Sequence, residues 1–468
     1  MSDGFRTERD TMGEVQVPAD AYYGAQSARA RDNFPISGSS IPSLVIRALG
    51  MIKGAAAEVN AQLGEIPEDK AQLIVEAAAE VVAGKLDRHF VVDVFQTGSG
   101  TSSNMNANEV IANRSTELAG EALGSKVVHP NDHVNRGQSS NDVFPSAVHL
   151  GLAIAIQDEL LPELGRLAEC FHALADRYFD KIKTGRTHLM DAMPIRYGQQ
   201  FRGYAGQVEA SAARLGTALQ DLLAVPLGGT AVGTGVNAHP EFAAKVCSLI
   251  SERYGVVLRE TGNHFQAQNS LDGVVNASGA LRSFATALYK IANDVRWMSS
   301  GPLCGIGEVR IPAVQPGSSI MPAKVNPVIC ESVLMLCGQV MANDVAVGFG
   351  NSQGQFELNT MFPFMARNAI ESAELLANGC GMFRSRCLEG LEVTDVAEAQ
   401  VQRNPILVTA LNAAIGYEAA AKIAKEAFAS GRTVLEVASE TTDLSEAELD
   451  RLLDPAGLCG DWGRERGE

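Results

Sequence analysis

The sequence predicts an all-α protein: an elongated central bundle of long helices, flanked by a smaller N-terminal and a small C-terminal helical domain. Three observations carry this. Alanine is abundant while aromatic residues make up only 6% of the 468 positions, a balance that favours helix. From Val274 to Met298 an unbroken heptad places Val274, Leu281, Leu288 and Val295 at one position and Ala277, Phe284, Ile291 and Met298 at its partner, the mark of a helix packed along a seam. The stretch from Pro327 to about Val347 is apolar nearly all round (Val328, Ile329, Val333, Leu334, Met335, Leu336, Val340, Met341), the pattern of a helix buried on every side.

Taken in order, residues 1–138 alternate short helical patterns (Ile46–Leu63, Glu68–Val82) with Gly/Ser/Asn-rich loops, and form the first domain. Residues 139–391 hold the long helices. Leu160, Leu164, Leu167, Phe171, Leu174 and Tyr178 repeat with a 4-3 rhythm, and Phe201, Tyr204, Val208, Leu215, Leu219 and Leu222 follow a related one. Helices of 20 to 35 residues are rods of ~30–50 Å, so loops at opposite ends of such a bundle lie far apart. Residues 392–468 read as a small helical unit: Asn404-Pro405 breaks the chain, Leu411–Phe428 is periodic, and Asp443-Leu-Ser-Glu-Ala-Glu opens a last helix with acids in its first turn. The charged end Asp461–Glu468 is expected to fray.

Composition excludes several classes of function. The net charge is −17, from 55 acidic and 38 basic residues, and no basic run or aromatic-spaced basic patch occurs, which argues against nucleic acid as a partner. Eight cysteines (170, 247, 304, 330, 337, 380, 387, 459) are scattered without a C-x-x-C pair, as expected for thiols in a reducing, cytoplasmic setting and not for an iron–sulfur cluster. Cys330/Cys337 and Cys380/Cys387 are seven apart, one helical face rather than a bridge. The N-terminus carries early acids and no apolar run, so no secretory or transit peptide is visible, and no uninterrupted 18-residue apolar stretch is expected to cross a membrane.

Four polar islands interrupt the helical pattern. In Gln96-Thr-Gly-Ser-Gly-Thr-Ser-Ser-Asn-Met-Asn-Ala-Asn-Glu109, glycines permit close backbone approach beside Ser99, Gly100 and Thr101. The second is His129-Pro-Asn-Asp-His-Val-Asn-Arg-Gly-Gln-Ser-Ser-Asn-Asp142, and the third Gly185-Arg-Thr-His-Leu-Met-Asp-Ala-Met-Pro194. The fourth, Gly317-Ser-Ser-Ile-Met-Pro-Ala-Lys-Val-Asn-Pro327, sets hydroxyls, a cation and an amide in one loop. There Asn326-Pro327 reads as an N-cap followed by the first helical position, and the orphan N–H groups of a helix start favour anions. Such a loop suits holding a carboxylate while a weakly acidic C–H proton is removed. Any one island alone is equally a capped turn.

Together, in order and spacing, the islands resemble the fumarase/aspartase superfamily over essentially the whole chain, including Asn404-Pro-Ile-Leu-Val-Thr-Ala-Leu-Asn-Ala-Ala-Ile-Gly-Tyr417. Thr187-His188 is similar to the class II, iron-independent fumarases, where aspartases generally carry Gln. A histidine suits water addition, which needs a group active near neutral pH. Ala323, where fumarases more often show Gly, also occurs in aspartases, so aspartate ammonia-lyase is the alternative to fumarate hydratase.

The resemblance implies a metal-free, cofactor-free hydro-lyase that interconverts (S)-malate and fumarate by acid/base chemistry through an aci-carboxylate. In it Ser318 is the base at carbon, His188 acts on water with Glu331 as its partner, and Lys324 and Asn326 stabilise the intermediate. Substrate binding falls to Ser99, Gly100, Thr101, Ser139, Ser140, Asn141, Thr187, Ser319, Lys324, Val325 and Asn326. A second anion site is implied at Lys126, His129, Asn131 and Asp132, with Lys126 where relatives often have Arg, which would lose bidentate contact. The family's assembly is a homotetramer whose active sites are each shared by three subunits.

Overall fold

The heptad of the longest helix decides its packing. Asp272–Met298 is helical throughout, and all eight seam residues from Val274 to Met298 are buried. The computed structural model of the chain describes residues 4–464. Leu161–Arg177 buries Leu164, Leu167, Phe171 and Leu174, and Tyr197–Leu222 buries Phe201, Tyr204, Val208, Leu215, Leu219 and Leu222, each along the stripe its sequence sets. Glu68–Val82 forms as expected, and its neighbour runs from Ser43 to Gln62. Helix predominates, and among the described residues strands are confined to four two-stranded sheets.

The helix Val328–Asn351 corrects one expectation. Its burial is one-sided: Cys330, Val333, Cys337, Val340 and Val347 are covered, whereas Met335 and Val345 are each more than 70% exposed. A lone chain covers one face of a helix that is apolar all round, so the composition asks for more cover than one chain supplies. By length and composition this helix could also cross a membrane, contrary to the expectation that no such stretch exists. Glu331, Asn343 and Asp344 interrupt it, with Asn343 bonded to Glu371 (3.0 Å) and Asp344 paired with Arg282 (3.0 Å), groups that are costly in lipid.

The chain divides into two compact units: Met1–Pro162, Ala212–Thr286 and Leu336–Ala377 make the first, and Glu163–Ser211, Ala287–Met335 and Asn378–Glu468 the second. The first opens with a hairpin, Phe5–Asp10 against Gly13–Pro18, in a stretch where the sequence predicts short helices and loops. Its helices Ser43–Gln62 and Glu68–Val82 pack closely because Gly50 and Gly54 offer no side chain. A Cβ at Gly50 would lie 3.0 Å from Val81 Cγ1, and one at Gly54 3.3 Å from Ala78 Cβ. Thr101–Leu118 and Ser140–Ile154 complete the core, with buried Glu109 accepting from the backbone N–H groups of Gly24, Gln26 and Ser27.

The second unit holds a hairpin, Ile182–Thr187 against Met190–Arg196, and a short pair, Val309–Arg310 against Glu392–Val393. Its C-terminal residues pack around their own cluster, including Leu407, Leu411, Ile423, Val437 and Leu449. Asn404 caps the turn that follows it, accepting from Ile406 N–H, and Ser445 with Glu448 forms a capping box on the helix Glu446–Leu453. The periodic stretch from Leu411 is split at Gly416, whose φ of +80° ends one helix before Tyr417–Ser430 begins. Of the end expected to fray, residues 465–468 lie outside the described residues, while Arg464 donates to Asp180 at 2.5 Å.

Candidate active site

The Gly317–Pro327 loop is closed by its own backbone. Gly317 N–H donates to the Lys324 carbonyl (2.7 Å), and the Asn326 side-chain amide donates to the Gly317 carbonyl (2.7 Å). A Cβ at Gly317 would stand 2.5 Å from the Lys324 oxygen, so only glycine permits this closure. Asn326 therefore ties the loop together with its side chain instead of capping the next helix, as its sequence suggested. Inside the loop, Ser318 Oγ accepts from the backbone N–H groups of Ile320 (3.2 Å) and Met321 (3.0 Å). Two fixed dipoles thus point at one hydroxyl oxygen, an arrangement that favours negative charge on it. Lys324 is exposed on the same loop, with no ion pair among the described residues, and lines an open cavity with Gln315, Ser318 and Met321. Ser319 and Val325 are exposed on the same loop. Ala323 sits at φ +65°, a left-handed conformation costing an L-residue about 1 kcal/mol, which gives the Ala-for-Gly departure a physical consequence.

Thr187 and His188 occupy the tip of the second unit's hairpin. Thr187 pairs with Met190, leaving His188 and Leu189 as a two-residue turn at φ +56° and +62°. Paired positive φ values define the turn that hairpins ordinarily build from Asn-Gly, so two bulky residues here carry backbone strain. His188 is exposed and makes no side-chain hydrogen bond among the described residues, and none joins it to Ser318 or Glu331. Glu331, one turn into Val328–Asn351, is likewise exposed.

Below the tip the hairpin is anchored. The Glu308 carboxylate receives both Lys183 Nζ and the Arg186 guanidinium, and is buried with Lys183. Burial works to raise the Glu308 carboxyl, but the Arg186 hydrogen bond and the Lys183 charge outweigh it and hold it below the usual carboxylate range. Glu308→Gln leaves two cations facing a neutral amide in a buried place. The expected result is a loss of about 3–5 kcal/mol in unfolding free energy by denaturant titration. A carboxyl held low in the folded chain stabilises it above the unfolded pKa and ceases to as pH falls through the folded value, so the deficit should shrink in acid.

In the first unit, two islands meet through residues 39 positions apart. Thr101 Oγ1 lies 2.8 Å from Ser99 Oγ and 2.7 Å from Ser140 Oγ. Thr101 and Ser140 are each the first residue of a helix, so two helix N-termini converge on one spot, where orphan N–H groups favour an anion. Gly100, at φ +76°, brings the chain so close that a Cβ would fall 2.2 Å from the Phe144 ring. Ser139 caps the second helix in a reciprocal box with Asp142, and Asn141 Nδ2 donates to the Ala231 carbonyl (2.8 Å). Asp142 also accepts from Gly228 and Thr230 N–H (3.0 and 2.9 Å). The glycine-rich loop around Gly228–Gly235 thus forms part of this wall. Sequence reasoning passed over it, although its four glycines in eight residues were a usable signal.

Lys126, His129 and Asn131, implied for a second anion site, line a cavity of about 350 Å³ in the first unit together with Arg9 and the carboxylates Glu8, Asp10 and Glu109. His129 Nδ1 accepts from the N–H groups of Asn131 and Asp132, and Lys126 Nζ donates to the Arg9 carbonyl (2.9 Å). Asp132 itself is exposed.

Comparison with known proteins follows the same lines. A family profile described as a lyase matches residues 13–342, and one described as the fumarase C C-terminus matches residues 407–460. The class II fumarate hydratase of Halobacterium salinarum is 52% identical over 459 residues, covering 98% of each chain. That of Thermus thermophilus is 49% identical over 458 residues, covering 97% of this chain and 98% of the relative. The crystal structure of recombinant class II fumarase from Schistosoma mansoni superposes with a TM-score of 0.94 at 36% identity, covering 99% of this chain and all of the other.

Proposed function

Because the chain belongs to the class II fumarate hydratases, which interconvert malate and fumarate, we propose that its four islands divide that chemistry among them. Ser318 removes the C3 proton of (S)-malate as an alkoxide. The observation that carries this is the pair of N–H donors on Ser318 Oγ, reinforced by the charge of Lys324, which lines the same cavity. Proton loss leaves a doubly charged aci-carboxylate, which Lys324 stabilises more than it stabilises substrate, while Asn326 keeps the loop closed around it. His188 protonates the departing hydroxyl and, in the reverse direction, activates water; Glu331 orients its ring. Thr101, Ser139, Ser140 and Asn141, with Ser99 and Gly100 behind them, hold a substrate carboxylate at the paired helix starts, and Thr187 and Ser319 contribute hydroxyls. All of this is done with acid and base groups of the polypeptide.

His188 and Glu331 each stand exposed, and their pairing in this reading is made between chains. A homotetramer with each site drawn from three subunits supplies it, and the one-sided cover of Val328–Asn351 supports assembly with further copies. Eight free thiols suit a reducing cytoplasm. The division into 1–138, 139–391 and 392–468 belongs to the same reading, the middle segment carrying Thr187, His188 and the Ser318 loop. The His–Glu pair is tested by Glu331→Gln. Losing an anionic partner disfavours the cationic ring, so the limb of the pH–rate profile that reports the base should move to lower pH, with a smaller loss of turnover than removing His188. An unmoved profile removes the pair from the mechanism.

A further inference from the structure

Helix Ser43–Gln62 carries one charged residue among apolar neighbours that ends up wholly buried: Lys53, at 0% exposure. Its Nζ donates to Asn135 Oδ1 (2.8 Å) and Gln138 Oε1 (2.9 Å). Asn135 in turn donates to the Gln138 carbonyl (3.1 Å), and Asn60, two helical turns beyond Lys53 and on its face, donates to the Arg136 carbonyl (2.9 Å). One helix face therefore grips the turn 135–138 that delivers Ser139, Ser140 and Asn141 to the convergent helix starts.

The charge has a second use. The carboxylate-binding wall proposed above, Ser99 to Thr101 with Ser139 to Asn141, contains no cationic side chain, and directly behind it lies the buried carboxylate of Asp142. An uncompensated anion there would oppose the helix-terminal N–H groups and repel a dicarboxylate. Burial pushes the Lys53 ammonium down to about 7, and the charge of Asp142 pulls it back up, so the two groups sense each other. Burial likewise pushes the Asp142 carboxyl up, against the N–H groups of Ser139, Thr230 and Gly228 and the Lys53 charge.

We propose that Lys53 is a positioning residue of the substrate-carboxylate subsite: its ammonium fixes the 135–138 turn and offsets Asp142, so that the helix starts at Thr101 and Ser140 present net positive potential to a dicarboxylate. The inference rests on the reading of Thr101 and Ser140 as substrate-binding. Lys53→Gln keeps a polar group of similar reach and removes the charge.

Steady-state kinetics on fumarate and calorimetric binding of succinate should show KM and Kd each rising about tenfold while kcat stays within about threefold, the split expected when binding common to ground and transition states is lost. Ser140→Ala is measured beside it. If Ser140→Ala leaves KM and Kd unmoved, the subsite reading fails and this inference with it. If Ser140→Ala raises them and Lys53→Gln does not, or lowers kcat at unchanged KM, only the role of Lys53 is overturned. Should Lys53→Gln not assemble, Lys53→Gln with Asp142→Asn keeps a polar donor against the turn and removes both buried charges together. Because the anion goes with the cation that offsets it, succinate binding close to wild type in that folded pair supports the inference, and binding weakened about tenfold, or failure of the pair to assemble as well, overturns it.

Discussion

Ser318→Ala is expected to lower malate dehydration by about 10³-fold or more, some 4 kcal/mol of transition-state stabilisation. The alanine removes the oxygen on which the N–H groups of Ile320 and Met321 converge, while the loop's closure is untouched because it runs through Gly317, Lys324 and Asn326. Binding and chemistry should separate. Calorimetry should still detect succinate, since Lys324 and the helix starts at Thr101 and Ser140 remain to hold carboxylates, whereas kcat collapses. A variant that keeps a substantial fraction of the rate assigns proton abstraction to another group.

His188→Asn should cost about 10²–10⁴-fold in rate, the usual worth of a positioned acid–base group, with circular dichroism and oligomeric size unchanged. Asparagine tolerates the positive φ of +56° better than most residues, so the turn is kept and only the imidazole is lost. This variant also tests the sharing of sites. When His188→Asn and Ser318→Ala proteins are mixed, dissociated and reassembled at random, a site drawing these residues from different chains finds both intact in about one case in four. Activity should return from two inactive parents. Mixed assemblies that form and stay inactive would show that His188 and Ser318 serve a site from the same chain.

These experiments depend on residues that were legible to very different degrees. The positions of the four islands, the seam from Val274 to Met298 and the helix Glu68–Val82 were set by local pattern. Periodicity and hydrogen-bonding residue types act over a few residues, so they can be read without the fold. Ser318 and Lys324 belong here, because the short loop that holds them closes on itself between Gly317 and Asn326.

Other features were decided by contacts between distant parts of the chain. Nothing near His188 announced a hairpin tip, because His-Leu lacks the Asn-Gly chemistry of that turn; the strand pairing and the grip of Lys183 and Arg186 on Glu308 accompany it in the folded chain. The meeting of Thr101 with Ser140, the Gly228–Gly235 wall against Asp142, and the reach of Lys53 to Asn135 and Gln138 join residues 39 to 88 positions apart. Such pairings are fixed only when the long helices dock. The burial of Val328–Asn351 differs from the expectation for the related reason that hydropathy states how much surface must be covered, not by what. The helical class and the positions of the islands are thus legible from residue order alone. Tertiary structure alone decided which islands share a wall, which charge stands behind it and how His188 is held, because those depend on packing distances that no local pattern encodes.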